Sequence, residues 1–244
     1  MSLDVLGQVV AGHAGANTAH MIVLQFLRWM HFFFGIVWLG HLYYFNFVQA
    51  NAEKALDGPQ KKVVVPNFRG RALFWFRWGA MLTFLTGLAY IFYQELIATD
   101  RHFSGWLSFD VGGAGGSNAW ILFGAILGTI MWFNVWFVIW PRQQVIIASV
   151  AGQREKPADF DALVAAAGKA SRINTILSFP MLFGMGGRSH FLVAKSWGEQ
   201  IGWWIGVLVV GIGIGVHVLK VGPLVGKEFI PEAPASPPPA APAK

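Results

Sequence analysis

The chain has 244 residues, of which 55% are hydrophobic and only 12% charged, with 21 Phe and 12 Trp. Soluble domains carry roughly 25% charged residues, so this composition describes an integral membrane protein. Its net charge of +6 could suit nucleic acid, but the cations cluster in alternate loops and are explained by membrane orientation. Cysteine is absent, which excludes disulfides, thiolate catalysis, Cys-ligated iron–sulfur clusters and a covalently attached c-type haem.

Residues 1–18 have no basic n-region and read as an external segment rather than a signal peptide. Five apolar stretches follow at 19–48, 72–98, 118–141, 171–192 and 199–221, near the ~20 residues that a membrane helix needs. Backbone groups in lipid must be hydrogen-bonded internally, so all five are expected to be α-helical. The third has Gly124 and Gly128 in GxxxG spacing, suited to close helix contact. The fourth has a short apolar core broken by Pro180, with an amphipathic helix expected over 156–172 leading into it. Residues 103–117 read as a Gly-rich external loop. The tail 222–244, with six prolines after Ile230, reads as disordered or polyproline-like. Thirteen Lys and Arg fall in the segments after spans one, three and five, against three in the other loops. That asymmetry predicts an all-α bundle of five transmembrane helices over 19–221, with the N-terminus outside and the C-terminus cytoplasmic. A bacterial inner membrane is the expected location.

Ionisable groups inside a span are expensive and mark a functional site by default. In span one, Arg28, His31, Gly35 and Trp38 share roughly one helix face. A histidine with a glycine one turn away suits a flat porphyrin, with imidazole for the iron and no side chain across the ring. Arg28 could pair with a propionate, and Arg77 in span two is a further candidate. Span five repeats the pattern with Gly213 one turn before His217. His31 and His217 are therefore the first candidate ligands, with His190 and His41 next and His20 in reserve. The plain alternatives are a packed, hydrogen-bonded histidine, a snorkelling arginine and glycines that only bring helices together. There is no HExxH, Walker A loop or GxSxG, and intramembrane carboxylates are nearly absent, which disfavours a proton-driven transporter.

Several of these residues carry a family resemblance. Arg28-Trp29-x-His31 followed by Trp38-x-Gly40, and Trp75-Phe76-Arg77-Trp78 with Thr83 and Gly87, resemble the N-terminal domain of the bacterial membrane-bound urate oxidase (urate hydroxylase) family. The likeness extends through Asn134, Pro141-x-Gln143, Asn174, Pro180, Met185, His190 and His217. Family members usually have more membrane helices and a cytochrome c domain. Ile173 stands where the family has a histidine, and His41 where it has a small residue. The first helix is also similar to that of the haem-binding bacterial protoporphyrinogen oxidase family.

Together these readings imply a cytochrome b-like subunit holding one or two haem b groups. It would exchange electrons with a cytochrome c or quinone, beside other membrane subunits and without nucleic acid. The alternatives are a membrane oxidase of a small substrate, urate-like or a porphyrin, and a non-catalytic anchor subunit whose histidines only pack.

Overall fold

The computed structural model describes residues 18–96, 118–191 and 194–225. Among them are five long helical rods and no strand. The first rod, α1 (18–55), runs from Thr18–Tyr43 through a π-helical turn at Tyr44–Gln49 to Glu53–Ala55. The second, α2 (58–96), contains a π turn at Val65–Arg69, and α3 (118–150) another at Asn134–Ile139. The last two are α4 (Phe160–His190) and α5 (Trp197–Val221). The Gly-rich loop, most of the tail, His13 and His102 lie outside the described residues.

Helices α1, α2, α3 and α5 are long and apolar enough to cross a membrane. Five such spans were expected; α4 has the length, at 31 residues, but not the hydropathy. It carries Asp161, Lys169 and Arg172 and spends part of its buried surface on Asn174, Thr175 and Ser178. The amphipathic segment expected before it is not separate but forms the first turns of the same rod. Similarly, α1, α2 and α3 run several turns beyond their apolar stretches. Hydropathy marks where a helix meets hydrocarbon, whereas the helix itself ends where its backbone finds a cap.

The caps are identifiable. Asp57 and Gln60 form a reciprocal capping box at the start of α2, with bonds of 2.8 and 3.0 Å and Pro59 in the first turn. At the end of α3, Gly152 has φ +74°, and Gln153 N–H donates to the Ala148 carbonyl at 2.9 Å. That left-handed closure is the Schellman pattern, which favours glycine. Ser196 accepts from Glu199 N–H at the start of α5.

Helix α4 is packed between α3 and α5, while α1 packs chiefly on α2. The close approaches depend on small residues. A Cβ on Gly184 would lie 2.7 Å from Gly124 N, and one on Gly211 would lie 2.6 Å from the Pro180 ring. Gly215 sits equally tightly on Ile176, so Gly211 and Gly215 together form the α5 face that meets α4. Of the expected GxxxG pair, Gly124 is at backbone contact, but Gly128 meets only the flexible Met181 and Met185 side chains at 3.9–4.0 Å.

The α1–α2 pair joins the other three helices through polar and aromatic contacts. Ser178 donates to the Thr175 carbonyl, so Tyr43 Oη is the donor to Ser178 Oγ, at 2.8 Å. Asn46 donates to Ser171 at 2.8 Å and to its own helix at Leu42. Asn134 donates to Asn174 at 2.8 Å, and Asn174 to the Met131 carbonyl at 2.9 Å, so the buried amides are paired across α3 and α4. Phe84 stacks on Trp132 with centroids 4.3 Å apart.

Candidate functional site

The N-terminal half of α1, where it faces the C-terminal half of α2, holds a histidine with a fixed ring. His31 Nδ1 lies 2.9 Å from the Thr83 carbonyl, so it is the donor and the ring is fixed with Nε2 unprotonated in the neutral form. Gly87 makes room for it: a Cβ there would lie 3.0 Å from His31 Cε1 and 3.1 Å from Nδ1. An imidazole whose far nitrogen is anchored to a carbonyl is the usual arrangement for one that ligates through the other nitrogen. Gly35, expected to clear a ring face beside His31, instead faces α2, where its Cβ would meet Thr83 Cγ2 at 3.9 Å. The clearance for His31 comes from the opposite helix.

Gly87→Val is expected to displace the imidazole from Thr83 and cost about 1–3 kcal/mol, the usual range for overpacking. Histidine 15N spectra in bilayers read the tautomer directly. A ring still protonated at Nδ1 in that variant would contradict the seating described.

Arg28, one turn N-terminal to His31, is exposed and donates through Nη2 to Tyr90 Oη at 2.6 Å. His20 stacks on Tyr93 with centroids 5.4 Å apart. Arg77 stacks on Trp140 of α3 with Cζ 3.8 Å from the ring centroid, and its buried Nε has no partner. It is therefore a cation held by π faces between α2 and α3.

The structure does not bring His31 and His217 together. Gly222 at the end of α5 meets Phe47 of α1 at 3.2 Å through its would-be Cβ, which levels the two helices. His31 lies ~24 Å above that level and His217 ~8 Å, by the helical rise of ~1.5 Å per residue. A separation of ~16 Å in depth is too large for two imidazoles on one metal ion, whose bonds are ~2 Å each. His217 is also exposed, on the face of α5 turned away from Gly211 and Gly215. Gly213 shares that face, and a Cβ there would meet nothing within 4 Å.

His41 is level with His217 by the same helical rise but lies at the α1–α2 pair. Its Nδ1 donates to the Val37 carbonyl of its own helix at 2.7 Å, and the residue lines a groove between α1 and α2. His190 is exposed at the end of α4. Among the described residues no group of three or more His, Asp or Glu could hold a metal ion.

Sequence reasoning missed the buried ion pair near the other end of the pair. Glu53 and Arg69, the latter one of the cations between the first two apolar stretches, are joined through both carboxylate oxygens, with Arg69 Nε 3.2 Å from Glu53 Oε1. Gln49 donates to the same carboxylate, and Arg69 Nη1 reaches Gln143 of α3 at 3.5 Å. Two π turns end at Gln49 and Arg69; such wide turns re-aim the side chains that follow and recur at functional sites. The signal in the sequence is a single acid sixteen positions before an arginine across a turn, too weak to read unaided.

No curated protein and no solved structure matches the chain. The family model described as urate oxidase N-terminal matches residues 103–221. That stretch, just under half of the chain, includes Asn134, Asn174, Pro180, His190 and His217, while Arg28, His31 and Arg77 lie before it. The match supports the urate oxidase N-terminal family as the relative of the α3–α5 half of this protein.

Proposed function

We propose that the chain is a membrane-embedded electron-transfer subunit that carries haem b, with five spans in a bacterial inner membrane and the N-terminus outside. The observation that carries this reading is His31, a half-buried imidazole with Nδ1 committed to the Thr83 carbonyl and Nε2 left to ligate. The donor set suits a non-covalent haem: neutral imidazoles, no thiols, a glycine at 87 that seats the His31 ring, and an exposed Arg28 guanidinium for a propionate. When bound, the haem supplies one-electron chemistry whose potential depends on its ligands and apolar surroundings. The chain's own part is to orient His31 and to place a cation near the propionate edge. Because His31 and His217 occupy separate surfaces, each would serve its own haem or meet a ligand from another subunit.

The purified chain is expected to show a Soret band and a b-type pyridine haemochrome, and His31→Ala to lose most of it. A haem-free wild-type protein, or His31→Ala with undiminished haem, would overturn the reading. A second reading, a membrane oxidase acting on a small urate-like substrate, is favoured by the family match over 103–221. Substrate-dependent haem reduction across a panel that includes urate distinguishes the two.

A further inference from the structure

The inner half of the α1–α2 hairpin carries a feature that the His31 site does not use. A groove of about 420 Å³ opens there between the helices, with Val37, Gly40, Phe68 and Ala72 as its apolar lining and His41 and Tyr44 as its polar groups. His41 is oriented rather than free. Its Nδ1 proton is held by the Val37 carbonyl, so the neutral ring presents Nε2 as a bare acceptor. Gly40, beside it, has nothing within 4 Å of where a Cβ would be, leaving space over the ring. Tyr44 is 39% exposed, and its hydroxyl has no hydrogen-bond partner among the described residues. An acceptor and a donor thus stand one turn apart on a surface otherwise lined by hydrocarbon.

Both helices are long and apolar enough to cross a membrane, and unpaired polar groups facing hydrocarbon are costly. An occupant that relieves that cost must arrive through the lipid, present a thin face to Gly40 and Ala72, and carry hydrogen-bonding oxygens at its rim. An acyl chain has no such oxygens. We propose that this groove binds the headgroup of a lipid-soluble quinone or quinol, whose ring lies over Gly40 between His41 Nε2 and Tyr44 Oη. A quinol hydroxyl donates to Nε2, and a quinone carbonyl accepts from Tyr44. This names the partner of the electron-transfer reading and rests on it for its purpose, though the binding site is tested separately.

The test uses the full chain in nanodiscs, with an azidoquinone photolabel, decyl-benzoquinone as competitor and peptide mapping by mass spectrometry. Labelling is expected within residues 36–44 and 68–72 and should be displaced by the competitor. Gly40→Leu, which fills the groove, should abolish it. His41→Phe should weaken binding roughly tenfold, as expected for one lost hydrogen bond, and His41→Gln should recover part of it. Circular dichroism and size-exclusion profiles check that each variant is folded. Labelling elsewhere, or unchanged in both Gly40→Leu and His41→Phe, overturns the proposal. So does loss of haem in His41→Phe, which would make His41 an iron ligand, or a change of oligomeric mass in Gly40→Leu, which would make the groove an interface between copies. A haem-free wild-type chain that still labels in a His41-dependent way leaves the quinone site standing and removes the electron-transfer reading.

Discussion

Gly184→Leu is expected to separate α3 from α4 and to be among the most destabilising single substitutions in this protein. Even an alanine Cβ at Gly184 would lie 2.7 Å from Gly124 N, 2.9 Å from Gly124 Cα and 3.0 Å from Phe123 Cδ1. The first two are backbone atoms, so no rotamer change relieves the contact and the helix axes themselves must move apart. Movement there also strains the Asn134–Asn174–Met131 hydrogen bonds, which span the same two helices a few turns away. Overpacking costs about 1–3 kcal/mol where side chains can adjust, and a backbone obstruction should reach or exceed the upper end of that range. Gly128→Ala supplies the contrast. Its Cβ would meet only Met181 Cγ and Met185 Cε, at 4.0 and 3.9 Å, and methionine adapts readily. Detergent unfolding midpoints measured for the two variants should therefore differ widely; equal midpoints would mean that the crossing is not where the structure puts it.

The second large effect is expected at the buried ion pair. Glu53→Ala leaves the Arg69 guanidinium, whose side chain is only 20% exposed, without its carboxylate, and strands the Gln49 amide that also donates to it. Removing one partner of a buried pair typically costs about 3–5 kcal/mol, because the remaining charge is uncompensated. The double variant Glu53→Met/Arg69→Met removes both charges and should recover much of that loss. Denaturant unfolding of the two single variants and the double variant gives the coupling energy as a closed cycle. A double variant as unstable as the sum of the singles would show that the two residues act independently, against the paired geometry.

These two sites also show where the sequence is informative and where it is not. That Gly124 belongs to a helix crossing is legible from its GxxxG spacing, since small residues at that period let backbones approach. Its actual partner is Gly184 on another helix, and no spacing rule applied within α3 could supply it. In the sequence Arg69 is one of the cations between the first two apolar stretches, with nothing to mark it from the rest. In the structure the helix continues through that region, and a π turn directs Arg69 inward to Glu53. Likewise α4, the weakest apolar stretch, is the helix packed between two others. Its low hydropathy follows from buried Asn174, Thr175 and Ser178, whose hydrogen bonds are made to protein rather than to water.

By itself, the sequence determined that this protein is helical and membrane-seeking, because a long apolar backbone in lipid can satisfy its polar groups only within the helix. It also singled out His31, His41 and His217, since an ionisable group is conspicuous wherever everything around it is apolar. Only the tertiary structure decided which atoms those histidines offer and to what. Thr83 and Gly87 fix the His31 ring from the facing helix, the Val37 carbonyl holds His41 Nδ1, and helix levels set His217 ~16 Å from His31 along the helix axes. Periodicity specifies the face of one helix. The depth and neighbours of that face depend on how five helices share their contacts, which is a property of the assembled bundle.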